Sequence, residues 1–224
     1  FYGAVTGNPA NAIYVSSDAS GTTNDYNVNA TSVVHSYRDI AIPSGTTTSV
    51  FSFDWKANAE SCCDYIRVWL VPTSFIPTAG TQITTGSGRI QVGGNLNAQT
   101  AWQTYSNAAL DVSSFAGATM RLIFEWRNDG SLGSQNAAAI DNVSLDLPCA
   151  ATVASATATA ICGSGPVTIA AAGSSGTTEL RLYATSTGGV SIDTEMSASG
   201  NLITPSISTT TIFYVAAFNG SCET

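Results

Sequence analysis

The chain has 224 residues, of which 44% are hydrophobic and only 10% are charged. This length accommodates one large domain or two of ordinary size, and the composition is typical of secreted β-proteins with many turns. Fifteen acidic residues against seven lysines and arginines give a net charge of -8, which argues against nucleic acid as a partner because binding to phosphates needs a basic surface.

Strand patterns dominate the first half of the chain, and helix patterns are nearly absent. Aromatic or aliphatic residues alternate with polar ones in residues 50–56, 64–70, 121–127 and 139–147, as in strands with one buried face. The predicted inward residues are Phe51, Phe53, Trp55, Ile66, Val68, Leu70, Leu122, Phe124, Trp126, Val143, Leu145 and Leu147, and the residues predicted to face away are Arg121, Glu125 and Arg127.

Long connections rich in Gly, Asn, Thr and Pro separate these strands. They are predicted at residues 72–80, 84–100 and 129–136, and loops of such length are usually functional or cap the ends of a sandwich. No apolar run approaches the length of a membrane-spanning helix, so we expect no membrane insertion.

A stretch of Ala, Thr and Ser at residues 150–160 contains no aromatic and no charged residue, which is typical of a domain boundary. We therefore predict a first domain at 1–148 and a second at 149–224, with strands of the second at 167–171, 179–184 and 211–217. We also expect the natural polypeptide to continue beyond Thr224.

The five cysteines favour an oxidising compartment. Cys162 and Cys222 lie near the two ends of the second domain, and a bond between them would close a loop of roughly 60 residues, worth up to ~4 kcal/mol. Cys62 and Cys63 either form a vicinal disulfide, which we favour, or take different partners. Cys149 is then a free thiol or a link to something outside these 224 residues, and no C-x-x-C pattern indicates redox catalysis.

The first half resembles the adhesin-type jelly rolls of the choice-of-anchor and cleaved-adhesin kind, which are relatives of MAM domains in secreted Bacteroidota proteins. The resemblance rests on the order of its segments and on the AIDNV ending. The segments are AIYVSSD at 12–18, NDY at 24–26, YRDI at 37–40, FSFDWK at 51–56, DYIRV at 64–68 and AIDNVSL at 139–145.

The second half is similar to the Ig-like repeats of type nine secretion substrates. The matching segments are CGSGPVT at 162–168, YATSTGG at 183–189 and TPSISTTTIFYV at 204–215, with Leu182 where such repeats usually have Trp. Together the two resemblances imply an all-β chain, a jelly-roll β-sandwich followed by a smaller Ig-like β-sandwich. They also imply a cell-surface or released adhesin, sometimes with a Ca²⁺ ion in the jelly roll, and they imply no catalytic residue.

Two carboxylates are predicted to point inward. Strand alternation places Asp141 on the face of Val143 and Leu145, and Asp64 on the face of Ile66 and Val68, and a buried charge needs a partner. That partner is a hard cation such as Ca²⁺, backbone N–H groups, or Arg38 or Arg67 in a salt bridge, unless a different strand register exposes the carboxylates. The candidate metal ligands are Asp18, Asn24, Asp25, Glu60, Asp64 and Asp141.

Catalytic motifs are missing from the sequence, and we predict that the chain is not an enzyme. The single histidine, His35, lies in a predicted strand and is expected to be a packed or surface residue. Neither a G-x-S-x-G elbow nor an H-E-x-x-H motif occurs. A carboxylate pair for glycoside hydrolysis, drawn from Glu60, Asp64 or Glu125, stays open because such pairs assemble only in the fold.

A polar and aromatic group suggests a ligand-binding surface. Asn95, Asn97, Gln99, Trp102 and Tyr105 are of the kinds with which jelly rolls bind glycans, although the aromatics are equally suited to a core and the asparagines to turns. Two functions are therefore carried forward: an extracellular adhesion or structural module whose partners are surface proteins or neighbouring domains, and a calcium-dependent carbohydrate-binding module.

Overall fold

The computed structural model describes residues 1–3, 11–220 and 222–224, and in these residues the chain is built from β-strands with one 3-10 turn at Ser113–Phe115. The all-β fold class is confirmed. The part of the chain that is described contains no helix long and apolar enough to cross a membrane.

The described chain divides into two compact units. The first comprises Phe1–Ala41, Ser49–Phe115 and Thr119–Asp146, and the second comprises Leu147–Thr224 together with the short segments Ile42–Thr48 and Ala116–Ala118.

The first unit is a jelly-roll β-sandwich of two antiparallel sheets. Its five-stranded sheet has the order β1-β2-β9-β4-β7 and its four-stranded sheet the order β3-β8-β5-β6. The strands are β1 Tyr2–Gly3, β2 Ile13–Tyr14, β3 Ser32–Ala41, β4 Thr48–Ala57, β5 Tyr65–Pro72, β6 Ile90–Leu96, β7 Gln99–Asp111, β8 Thr119–Asn128 and β9 Ala139–Asp146.

The core of this sandwich forms where the sequence alternates most regularly. Every second residue of β4 from Phe51 to Ala57 is buried, and Trp126 on β8 and Leu70 on β5 are fully buried. Phe53 contacts Phe124 edge-on at a centroid distance of 5.2 Å, so aromatic side chains of the two sheets meet across the core.

Arg121 and Glu125 face away from the core as predicted, but the outer face of the four-stranded sheet around them is covered rather than open to water. Residues 75–83 cover it, because Ile83 packs on Trp69 and Ile123 in a second small hydrophobic cluster. Arg121 donates to the carbonyl oxygen of Phe75 at 3.0 Å, and Glu125 has no exposed surface. The middle of this sheet, at β5 and β8, is therefore packed on both faces, whereas Tyr37 on β3 is half exposed.

A strand lies inside the segment predicted as a loop at 84–100. β6 pairs with β5 through Leu70–Ile90 and Val68–Val92 contacts, although its second half contains Gly93 and Gly94. Gly93 has a left-handed φ of 69°, and a Cβ atom there would collide with the ring of Tyr105. The glycines made this segment look like a turn, whereas they allow an aromatic ring to approach the strand backbone.

The inward orientation predicted for Asp141 and Val143 is wrong. Ile140 is the buried residue, Asp141 is partly exposed, and Val143 is 45% exposed. The register between β4 and β9 shifts opposite these residues, between Ser52 and Asp54, and Asn142 adopts a left-handed φ of 49°. These irregularities break the two-residue alternation on which the prediction relied.

The second unit consists of two three-stranded sheets, ordered β10-β11-β14 and β13-β12-β15. Leu180, Leu182 and Leu202 are fully buried in its core with Ile169 and Ala217. The strands are β10 Val153–Ala158, β11 Thr168–Gly173, β12 Glu179–Tyr183, β13 Asp193–Glu195, β14 Ser199–Ile203 and β15 Tyr214–Phe218.

The predicted bond between Cys162 and Cys222 is wrong. Cys222 is bonded to Cys149, whose Cα lies 5.7 Å away, and Cys162 is an exposed free thiol. Cys149 packs against the hydrophobic core of the second unit, whereas Cys162 follows β10 in an exposed turn. Cys62 and Cys63 are bonded to each other in the turn before Asp64.

Candidate cation centre

Three carboxylates converge at one end of the four-stranded sheet. Asp64 immediately precedes β5 and Asp129 immediately follows β8, and the antiparallel register places Tyr65 opposite Arg127. The backbone N–H of Asp129 donates to Oδ1 of Asp64 at 3.1 Å. One carboxylate oxygen each from Glu60, Asp64 and Asp129 lies within 4.8 Å of the other two. We call these three residues the acidic cluster.

Asp64 is the buried member of the cluster. Its side chain is almost inaccessible, and its Oδ2 accepts a hydrogen bond from the Tyr26 hydroxyl at 2.7 Å. Burial and the carboxylate of Asp64 together raise the pKa of Tyr26, so Tyr26 stays a neutral donor. The prediction that Asp64 points inward therefore agrees with its position in the structure.

Gly133 closes the space above Asp64. A Cβ atom at this position would overlap the Tyr26 hydroxyl and come within 3.3 Å of Oδ2 of Asp64, and the φ of Gly133 is 121°. Only glycine combines this backbone angle with that close approach.

Glu60 carries a buried carboxylate oxygen without a hydrogen-bond partner. This oxygen is Oε2, and no donor among the described residues contacts it. Burial raises the pKa of Glu60, the nearby carboxylates of Asp129 and Asp64 raise it further, and Arg127 opposes them. The Nδ2 of Asn97 donates to the carbonyl oxygens of Glu60 and Ser61 at 3.2 and 2.8 Å, so Asn97 holds the turn that carries Glu60.

The donor set of the acidic cluster fits a hard cation. Three carboxylates provide up to six oxygen atoms, and Ca²⁺ takes six to eight oxygen ligands. A bound cation would also satisfy the buried Oε2 of Glu60 and offset the mutual repulsion of the carboxylates. A second group of Glu60 with Cys62 and Cys63 also lies close together, but sulfurs in a disulfide are not the thiolates that bind metals.

The other four predicted ligands lie outside this cluster. Asp18 accepts hydrogen bonds from Ser20 and Thr22, which lower its pKa, and Asp25 accepts from the hydroxyl of Ser17 at 3.1 Å. Nδ2 of Asn24 donates to the carbonyl oxygens of Val15 and Ala138. Oδ1 of Asp141 accepts from the backbone N–H of Asn142.

Asp129 was missed by sequence reasoning, although a usable pattern existed. It directly follows the predicted strand at 121–127 and begins a loop already marked as long. Pairing that strand with the one at 64–70 brings the end of the first to the start of the second. The pairing itself is not encoded locally, which is why the residue was overlooked.

The arginine proposed as a partner for Asp64 binds another carboxylate. Nη2 of Arg67 lies 2.5 Å from Oε1 of Glu125, Ile83 donates its N–H to Oε2 of Glu125 at 2.6 Å, and His35 Nε2 lies 3.1 Å from the same oxygen. His35 is packed against the sheet, with 5% of its side chain exposed. Arg38 is exposed.

The predicted polar and aromatic group does not share one surface. Tyr105 stacks on Phe53 at a centroid distance of 5.1 Å, on the core side of β7. Trp102 lies on the outer side, where Nζ of Lys56 is 5.0 Å from the ring centroid. Asn95 is exposed on β6.

The outer side of β4 and β7 carries further polar groups beside Trp102. Thr104 donates to Oδ1 of Asp54 at 2.6 Å, and Nδ2 of Asn142 donates to Oδ2 of Asp54 at 2.8 Å. Lys56 lies over the partly exposed indole ring of Trp102, so this side of the sheet offers both a ring for stacking and groups for hydrogen bonding.

Comparison with solved structures gives only distant similarities. A structure titled "CBM4 structure and function" shares 18% identity at a TM-score of 0.32, covering 51% of this chain and 61% of that chain. Beta-glucuronidases of Ruminococcus gnavus and Lactobacillus rhamnosus share 9% and 13% identity, both at a TM-score of 0.27, with 87% and 92% of this chain covered. The chain spans only 33% and 35% of these two enzymes.

Scores this low support no statement about activity, and no curated protein matches the chain. The family model that matches is described as "Ig-like domain CHU_C associated" and covers residues 148–224. This match agrees with the two three-stranded sheets of the second unit. The match and the sheets agree on an Ig-like β-sandwich fold for residues 148–224.

Proposed function

We propose that the chain is a non-catalytic extracellular module, with an adhesion or structural role, of a large modular bacterial surface or secreted protein. Its first domain, 1–148, presents loops to a surface partner, and its second, 149–224, acts as a spacer. The Ig-like match of residues 148–224 is the observation that carries this proposal. The Cys62–Cys63 and Cys149–Cys222 disulfides add support, because such bonds persist in oxidising compartments.

Localisation in the source cells tests this proposal. An antibody raised against the chain is expected to label intact, unpermeabilised cells or to detect the chain in the culture medium. Mild protease treatment of intact cells is expected to release the cell-bound signal. Detection only after lysis, together with resistance to external protease, contradicts an extracellular role.

The acidic cluster supports a structural Ca²⁺ ion in the first domain. Glu60, Asp64 and Asp129 would hold it, and the ion would neutralise part of the charge that these carboxylates concentrate. Ca²⁺ in the millimolar range, in which extracellular modules bind it, is then expected to raise the thermal midpoint relative to EDTA, because a ligand of the folded state stabilises that state.

Asp111 provides a matched control for this cation. Asp129 Oδ1 accepts from the backbone and hydroxyl of Ser131, and Asp111 Oδ1 accepts in the same way from Ser113. Asp129→Asn is expected to abolish the midpoint rise on Ca²⁺ addition, and Asp111→Asn is expected to retain it. A wild-type midpoint that is equal in Ca²⁺ and EDTA contradicts the cation.

A second candidate function is carbohydrate binding on the outer side of β4 and β7. The partly exposed Trp102 beside Lys56 and the Asp54 hydrogen bonds favours it. A glycan array tests it with Trp102→Ala and, as control, Tyr37→Ala, an exposed aromatic on β3. Selective binding that only Trp102→Ala removes supports this function, and EDTA sensitivity supports calcium dependence. Silence across the array removes the candidate.

A further inference from the structure

The turn before Asp64 contains a disulfide between adjacent residues. Cys62 and Cys63 are bonded to each other at a sequence separation of 1. A cross-link stabilises a fold mainly by closing a loop in the unfolded chain, and a loop between neighbours removes almost none of that chain's freedom. The bond therefore has little use as a cross-link, in contrast to Cys149–Cys222, which spans 73 positions.

Glu60, two residues before this disulfide, has a carboxylate that receives no hydrogen bond from the part of the chain that the structure describes. Its buried Oε2 has no partner. Its Oε1 lies 2.7 Å from Sγ of Cys62, but a disulfide sulfur carries no proton to donate. Both oxygens are therefore available as ligands for a cation that the neighbouring sulfurs also bind.

The backbone of this turn is held by contacts that do not involve sulfur. Nδ2 of Asn97 donates to the carbonyl oxygen of Glu60 at 3.2 Å, and Nη1 of Arg127 donates to the carbonyl oxygen of Cys63. Breaking the sulfur–sulfur bond removes neither contact. The two thiols of the reduced chain are therefore expected to stay beside Glu60.

The reduced turn supplies ligands that suit a soft divalent cation. One ligand atom each from Glu60, Cys62 and Cys63 lies within 4.8 Å of the other two. In a tetrahedral Zn²⁺ site the sulfurs lie about 2.3 Å and a carboxylate oxygen about 2.1 Å from the metal, which places two sulfurs roughly 3.8 Å apart. The Cα atoms of Cys62 and Cys63 are 3.7 Å apart, so rotation of the two reduced side chains is sufficient to reach this separation.

We propose that reduction of the Cys62–Cys63 bond creates a binding site for a soft divalent cation such as Zn²⁺ or Cd²⁺, whose protein ligands are the two thiolates and the carboxylate of Glu60. Two molecules of a small thiol supply two electrons and two protons in this reduction. The sulfur–sulfur bond breaks, two protein thiols form, and the reductant becomes a disulfide. On binding, the cation displaces the proton of each thiol. The oxidised chain lacks this site, because thiolate sulfur is the ligand.

This site differs in chemistry from the acidic cluster, although both use Glu60. The acidic cluster offers only oxygen atoms, which hard cations prefer, whereas thiolates select soft cations. The ligands Cys62 and Cys63 have no part in the acidic cluster. Neither the adhesion role nor Ca²⁺ binding is therefore required for the soft-cation site.

Cadmium titration of the full chain tests this site, because Cd²⁺–thiolate bonds absorb in the ultraviolet and Cd²⁺–carboxylate bonds do not. All proteins carry Cys162→Ser, which removes the exposed free thiol. Each protein is reduced with a water-soluble phosphine and separated from it under nitrogen. The reduced protein is expected to gain an absorption band that saturates at a single Cd²⁺ per chain, and the unreduced protein is expected to gain none.

Two double variants identify the sulfur ligands. Cys62→Ser with Cys63→Ser is expected to lose the band. Cys149→Ser with Cys222→Ser removes the other disulfide and is expected to keep the band, because its sulfurs take no part in the site.

A further pair of variants tests the carboxylate. Glu60→Gln is expected to weaken Cd²⁺ affinity by roughly tenfold or more, the loss that even residues behind metal ligands cause. Asp111→Asn alters an exposed carboxylate that is not a ligand and is expected to keep the affinity.

Three outcomes contradict the soft-cation site. The first is a reduced protein without the band. The second is an equal band in the variant that lacks Cys62 and Cys63. The third is equal affinity of Glu60→Gln and Asp111→Asn, which an unfolded reduced chain would also give. Failure of the Ca²⁺ proposal is recognised separately, as an equal thermal midpoint of the unreduced chain in Ca²⁺ and EDTA.

Discussion

At the scale of single residues, Glu125 is the most completely enclosed charge in the described chain. It faces away from the sandwich core, yet residues 75–83 cover it, and Arg67, His35 and the N–H of Ile83 surround its carboxylate. Burial raises the pKa of Glu125, but the hydrogen bonds from His35, Ile83 and Arg67 outweigh it and lower the pKa overall. The residue is therefore ionised and structural.

Glu125→Gln is expected to lower the free energy of unfolding by about 3–5 kcal/mol, because it leaves Arg67 without its buried counter-charge. Asp39→Asn breaks the ion pair with Arg121 on the same sheet, but 41% of the Asp39 side chain is exposed, so a much smaller loss is expected because solvent screens the pair. Urea unfolding of both variants measures the difference. Equal losses would show that enclosure by residues 75–83 adds nothing.

Glu125 also predicts a pH dependence. A carboxylate whose pKa is lower in the folded state contributes stability that is fully present above its unfolded pKa, about 4.3. That stability is lost as pH falls through the lower folded pKa. When the pH is lowered from about 6 to about 3, a range that includes the unfolded pKa, wild type is therefore expected to lose more free energy of unfolding than Glu125→Gln. Parallel curves for the two proteins would contradict this assignment.

The candidate site was only partly predictable at this scale. Alternation of apolar residues after Asp64 was sufficient to predict its inward orientation, because the pairing of β5 with β8 is unbroken from Tyr65 to Pro72. The same reasoning failed for Asp141, where a register shift and a left-handed Asn142 interrupt β9. Glu60 and Asp129 meet Asp64 only through a turn and a strand pairing, which local patterns do not specify.

At the scale of elements, strands were predictable where their side chains alternate between core and another environment. β4 and β8 have this property. β6 does not, because its glycines serve the close approach of Tyr105 on β7. The sequence also did not show whether the outward side chains of β8 face water or a covering loop, because charged residues in alternate positions are compatible with both.

The Cys149–Cys222 bond is expected to be an important constraint on the Ig-like domain. It spans 73 positions of sequence, so its removal in the double variant Cys149→Ser and Cys222→Ser is expected to cost about 4 kcal/mol in the chain-entropy model. Cys162→Ser alters only an exposed thiol and is expected to leave the midpoint unchanged. Thermal unfolding of wild type and the two variants checks this. A large fall in the thermal midpoint of Cys162→Ser would instead support the Cys162–Cys222 bond predicted from the sequence.

At the scale of the whole molecule, a net charge of -8 implies self-repulsion that dissolved salt screens. Raising NaCl from about 10 mM to about 150 mM shortens the screening length from roughly 30 to 8 Å, and a modest rise in the thermal midpoint is expected. Calcium effects must therefore be measured at constant ionic strength, with Mg²⁺ as a control. A midpoint that falls over this range would show that attractive ion pairs outweigh the net repulsion.

The sequence by itself determined that the chain is all-β, because two-residue alternation and abundant turn residues are local properties of the polypeptide. Tertiary structure decided the rest. It paired Cys149 rather than Cys162 with Cys222, joined Glu60 and Asp129 to Asp64, and separated Trp102 from Tyr105. Each of these depends on which strands become neighbours and in what register, and register is fixed by packing between residues far apart in the chain.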